Sequence, residues 1–122
     1  MSVMWIDDGE ALTTLTFVNS GVYSQDSDGV NTINVPGDAQ AGDLAVYVDM
    51  TYTASTLDSK VLVSGWTELA YVAGLSSNYP RMLIAAKILA SGDVGAALSG
   101  NSITGAASPR RRSICLVFRP NA

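Results

Sequence analysis

The sequence contains no histidine, and that absence removes more chemistry than any residue present. Histidine is the usual general base near neutral pH, the central member of the Ser-His-Asp arrangement and the commonest transition-metal ligand. Cysteine occurs once, as Cys115. One thiol closes no intrachain disulfide, points to no oxidising compartment and, without histidine, makes a zinc site implausible. Its neighbours, Ser113-Ile114-Cys115-Leu116-Val117-Phe118, are apolar, so the thiol reads as a small buried hydrophobe. Charge is sparse at 15% of residues. No basic segment leads into an apolar run near the start, and no stretch nears the ~20 apolar residues of a spanning helix. The expectation is a protein made soluble in a cytoplasm, with no catalytic residue, no cofactor, no metal and no membrane partner.

What is present is β-protein material. The 122 residues suffice for one domain with one core, and 48% of them are apolar, too many for a chain that stays disordered. Threonine, serine, glycine, alanine and valine fill the space that charge leaves. β-Branched residues suit a pleated surface, and Gly, Asn, Asp and Ser supply turns. The net charge of −4 argues against a nucleic-acid partner, which needs a broad basic surface. Charge is also uneven: residues 1 to 60 hold nine acids against Lys60, and residues 61 to 122 hold six bases against two acids.

Period-two alternation is clearest from Asp43 to Tyr52. Leu44, Val46, Val48, Met50 and Tyr52 take one face, and Asp43, Tyr47, Asp49 and Thr51 the other, which predicts a half-buried strand. Strands are also predicted at 13–18, with Leu15 and Phe17 inward, and at 30–35, with Ile33 and Val35 inward. Asn19-Ser20-Gly21 and Ser24 to Gly29 read as loops, and Pro36 to Asp43 as a compact reversal. Gly65 to Val72 alternates with Trp66, Ala70 and Val72 on one face. Arg81 to Ala90 has helix propensity, but its setting among short strands at regular spacing favours a strand. A weak strand at 94–98, a Gly/Ser/Ala loop at 99–108 and a last strand at 112–119, ended by Pro120, complete the pattern. The fold class expected is all-β: a single antiparallel β-sandwich of about seven to eight strands, jelly-roll or immunoglobulin-like. Residues 1–11 form an N-terminal arm and 12–122 the sandwich domain.

Few residues carry a site. Glu10 and Glu68 stand in no recognisable catalytic context, and Asp26-Ser27-Asp28-Gly29 resembles the start of a calcium loop without its closing Glu. Partner binding is assigned to Trp5, Asp7 and Asp8 in the arm and to Arg110, Arg111 and Arg112, since buried Trp and forked Arg contacts dominate protein interfaces. An acidic first half and a basic second half also suit contacts between copies in a homo-oligomer. Tyr23, Tyr47, Tyr71, Tyr79 and Trp66 offer a sugar-stacking alternative.

The order Val35-Pro36-Gly37-Asp38-Ala39-Gln40-Ala41-Gly42-Asp43-Leu44, then Ser64-Gly65-Trp66-Thr67-Glu68-Leu69, then Ala86-Lys87-Ile88 with Gly92-Asp93, resembles small β-sandwich domains of tailed-bacteriophage virion proteins. The resemblance spans residues 30 to 118 and rests on turn and strand signatures. Such domains recur in tail fibres and head decoration proteins. It implies a structural protein, located in the virion, that decorates the outer capsid surface and stabilises the assembled shell, with the major capsid protein or another virion protein as partner. A short chain starting at methionine fits decoration better than a fibre segment; a receptor- or carbohydrate-binding module of a tail fibre is the alternative.

Overall fold

The computed structural model describes residues 2–5, 13–21, 24–26, 32–53, 59–61, 65–73, 79–99, 102–104 and 110–121, with side chains described over 14–21, 33–50, 65–72, 81–96 and 112–121. The protein is all-β. Its strands are β1 (Ser2–Trp5), β2 (Thr13–Ser20), β3 (Ser24–Asp26), β4 (Thr32–Asn34), β5 (Leu44–Thr53), β6 (Ser59–Val61), β7 (Thr67–Ala73), β8 (Tyr79–Ile88), β9 (Ala97–Ser99), β10 (Ser102–Thr104) and β11 (Arg110–Asn121), with a 3-10 turn at Ser91–Asp93. One large antiparallel sheet runs β1-β2-β11-β5-β8-β7, with β3 pairing on β11 beside β2. The pairs β4-β9 and β6-β10 form two small separate ribbons.

Arg81 to Ala90, expected as a strand despite its helix propensity, is strand through Ile88, and Arg81 to Ile88 pair in register with β5. Elsewhere the strands extend beyond the expected ones. The segment read as an arm supplies β1, which pairs with β2 from Ser2↔Thr16 to Trp5↔Thr13. Strands β3 and β10 lie inside segments read as loops, because pairing with a neighbour overrides local turn preference. Pro120 does not end the last strand, which continues to Asn121 against Leu15 and Thr14.

The faces also differ from expectation: Phe17, expected inward with Leu15, is 37% exposed while Leu15 is buried. On β5 the buried side chains are Ala45, Tyr47 and Asp49, while Leu44, Val46 and Val48 are half-buried and Met50 is exposed. The core is built on the Tyr47 face. Ile33, Val35, Ala39, Trp66 and Leu89 come from the turns and from β4 to cover Ala45, Tyr47, Ala85, Cys115 and Val117. Tyr47 meets Trp66 edge-on, ring centres 6.1 Å apart at 62°. A bulge between Glu68 and Ala70 explains β7, since one extra residue reverses alternation. Trp66 is therefore in the core, whereas Val72, predicted to share its face, is on the opposite side.

The Pro36 to Asp43 reversal is pinned by hydrogen bonds. Ala39 N donates to Pro36 O (3.1 Å), Asp43 N to Gln40 O (3.1 Å), and Gly42 N to Leu89 O (2.8 Å), while Leu89 N donates to Asp43 O (2.8 Å). Gly42, at φ 91°, takes the left-handed conformation this reversal requires. Buried Asp43 then anchors the end of β11: Arg119 Nε donates to Oδ1 at 2.9 Å and its terminal nitrogen to Oδ2 at 2.8 Å.

Candidate interaction face

The side of the sheet away from the core is apolar across four strands. Cross-strand register sets its rows: Ile114, Val48, Ile84 and Ala70; Leu116, Val46, Ala86 and Thr67; Phe118, Leu44 and Ile88. A marginal row holds Arg112, Met50, Met82 and Val72, and Phe17 of β2 extends the Phe118 row. Phe17 and Phe118 pack edge-on, with ring centres 5.7 Å apart. Partners in register stand ~5 Å apart, so these side chains form one continuous surface.

That surface is open. Phe17 is 37% exposed, Met50 56%, Val72 54% and Ile88 59%, and the central residues of the rows are half-buried. Taking roughly 150–200 Å² for a fully exposed large side chain, the face presents on the order of 700 Å² of apolar area. The largest apolar patch on a typical monomer is ~300–600 Å² and is often functional. A shallow depression of about 410 Å³ opens in it, lined by Leu44, Ala86, Ile88, Gly65, Thr67 and Lys87. Among the described residues, Arg112 at the margin is the ionisable side chain on these rows.

The buried face carries the polar groups instead. Asp49 and Ser113 are opposite one another in register and fully or nearly fully buried, and Arg81 of β8 is buried one row further along. Tyr47, Asp49 and Arg81 are all engaged in interactions within the chain. Among the described residues no group of three or more His, Cys, Asp or Glu side chains gathers as a metal site would need.

Of the residues expected to bind a partner, Arg112 is the one whose side chain is described. Arg112 is exposed at the margin of the apolar face, facing Met50 on β5 and Gln25 on β3 in register. Arg110 and Arg111 continue β11, and Trp5 ends β1; their side chains lie outside the described residues, as do Asp7 and Asp8 altogether. Of the sugar-stacking set, Tyr47 and Trp66 are core and closed to a sugar, Tyr71 is half-buried, and the side chains of Tyr23 and Tyr79 fall outside the described residues. The open face itself escaped the sequence reading. Its signal was apolarity at both parities of adjacent strands, as in Met82-Leu83-Ile84-Ala85-Ala86, which is the pattern of a sheet covered on both sides.

Two carboxylates hold the corners next to this face. Burial pushes the Asp43 carboxyl up, but hydrogen bonds from Arg119 and the Gln40 amide, with the Arg119 charge, outweigh it and hold the group below its ordinary value. Asp93 is held down chiefly by the Ala90 amide at 2.8 Å, against burial, with help from Lys87 at 3.0 Å. A carboxylate with a lowered folded-state pKa stabilises the fold above its unfolded value of 3.8, and that contribution is lost as pH falls through the lower folded value. Burial raises the Cys115 thiol from 9.0 to about 11, so the folded state keeps a proton that the unfolded state has released. That stabilisation is complete below pH 9 and drains away as pH rises towards 11. Thermal melts are expected to hold a plateau through neutral pH, with no histidine to tilt it, and to fall below 3.8 and above 9. Asp43→Asn should flatten the acid limb and Cys115→Ala the alkaline one; unchanged limbs would contradict these assignments.

Compared with protein-family models, curated proteins and solved structures, the chain matches none.

Proposed function

We propose that this protein is a structural, protein-binding module of a virion, of the capsid-decoration kind, that acts by covering and being covered by other protein surfaces. The observation that carries the reading is the open apolar sheet face. Such a face is costly to leave in water and is characteristic of an assembly surface. The resemblance of the turn motifs to virion domains supplies the setting, and the β-sandwich expected from them would be completed when a second layer closes this face. Shell attachment is assigned to the start of β11, which carries Arg110, Arg111 and Arg112, because arginine suits an acidic surface through forked hydrogen bonds. Binding only to the assembled lattice would stabilise it by mass action.

Co-sedimentation tests this directly. The purified chain, mixed with heads assembled from the structural proteins encoded alongside it, is expected to pellet with intact shells and not with their dissociated subunits. The triple substitution Arg110→Glu, Arg111→Glu, Arg112→Glu should abolish pelleting. A chain that stays in the supernatant with every shell preparation would end the proposal.

A further inference from the structure

We infer that the open face is covered by a second copy of this chain, the two sheets stacking face to face about a two-fold axis. This rests on reading the face as a protein interface and names its occupant. Three observations favour a copy over an unrelated partner. First, the area fits: on the order of 700 Å² per chain is close to the ~800 Å² each partner gives to a standard interface. Second, the charge fits. The chain carries a net −4, which opposes self-association in general, but the rows from Phe118 to Ile114, with their partners on β5 and β8, hold no ionisable side chain. An unrelated partner chosen by charge would find only Arg112 at one margin and Lys87 at the depression to read.

Third, the missing layer is a sheet. The core side is covered by turns and by β4, while the other side offers regular rows of Leu, Ile, Val and Phe at antiparallel spacing. Regular rows of this kind interdigitate with another sheet at ~10 Å separation. A two-fold interface is self-complementary, so the same rows supply both layers. With the axis in the interface plane and across the strands, the Arg112 margins of the two copies lie at opposite ends and do not oppose each other. Met50 and Ile88, 56% and 59% exposed, then reach across as anchors, Ile88 beside the depression it lines with Leu44 and Ala86.

Sedimentation equilibrium of the purified full chain, from low to high micromolar concentration, reads the outcome. Twice the chain mass is expected for the native protein. Met50→Lys and Ile88→Lys, both at positions exposed enough to accept lysine in the folded chain, should each weaken pairing roughly 30-fold or more, the effect of losing an interface anchor. Gln40→Lys, exposed on the turn before β5, should leave it unchanged. Far-ultraviolet circular dichroism identical to native protein establishes that the variants are folded. A native chain that is monomeric throughout, a trimer or larger ring, or a dimer indifferent to both lysines would overturn the inference. A monomer that still pellets with shells would overturn the pairing and leave the proposed function standing; a dimer that binds no shell would do the reverse.

Discussion

Gly21→Ala is expected to destabilise the protein by roughly 3 kcal/mol or more, beyond the usual cost of overpacking. A Cβ on residue 21 would lie 1.5 Å from the Asn34 carbonyl oxygen and 2.6 Å from its carbon. Both are backbone atoms, so no rotamer relieves the overlap. The chain would have to separate residue 21 from Asn34 at the end of β4, and Gly21 is also tied the other way, its N–H donating to Cys115 O at 2.8 Å. Moving residue 21 breaks that bond; moving Asn34 lifts Ile33 and Val35 off Tyr47 and Cys115, because all belong to one buried cluster. At roughly 4 °C per kcal/mol for a domain of this size, the melting temperature should fall by more than 10 °C. Gly37→Ala is the matched control, since its Cβ meets nothing within 4 Å, and it should stay within ~0.5 kcal/mol of native. Equal melting temperatures for the two variants would mean that Gly21 does not lie against the Asn34 carbonyl.

The elements that sequence revealed and those it hid differ in a physical way. Alternation within one strand is local, so Leu44–Thr53 was legible almost to the residue. Which face of that strand is core depends on what the rest of the chain lays over it. Leu44, Val46 and Val48 are the more apolar set, yet Trp66, Ile33 and Val35 cover the set containing Tyr47 and Asp49. The bulge after Glu68 is likewise set by pairing with β8 and leaves no mark in Thr67 to Val72 beyond Leu69, itself 60% exposed. β3 and β10 are short, polar and held by their neighbours, and such strands carry little signal of their own. In the sequence the conspicuous residues are the Trp of β1 and the Arg run of β11. The face that the structure opens is made of ordinary aliphatic residues, noticeable only once their rows are aligned.

Adjacent positions on β5 turn this difference into an experiment. Tyr47→Ala is expected to cost about 3–5 kcal/mol, the range for removing a large buried ring. Tyr47 is fully buried, packs edge-on against Trp66, and lies in register between Cys115 and Ala85. Its loss leaves a cavity at the centre of the cluster, which the paired strands on either side cannot close. Val48→Ala, one residue on, removes two methyl groups from a half-buried site on the open face, and in the monomer should cost about 1 kcal/mol or less. A reading from hydropathy alone ranks them the other way, with the valine inside and the tyrosine out. Urea unfolding at protein concentrations low enough to keep the chain monomeric separates the two. The Tyr47 variant should show an early midpoint and lose the near-ultraviolet signal of Trp66; the Val48 variant should track native protein. Repeated at high concentration, the Val48→Ala deficit should grow, because Val48 stands in the middle of the face that pairing buries. A Val48→Ala cost equal to that of Tyr47→Ala in the monomer would put the core on the other side of the sheet.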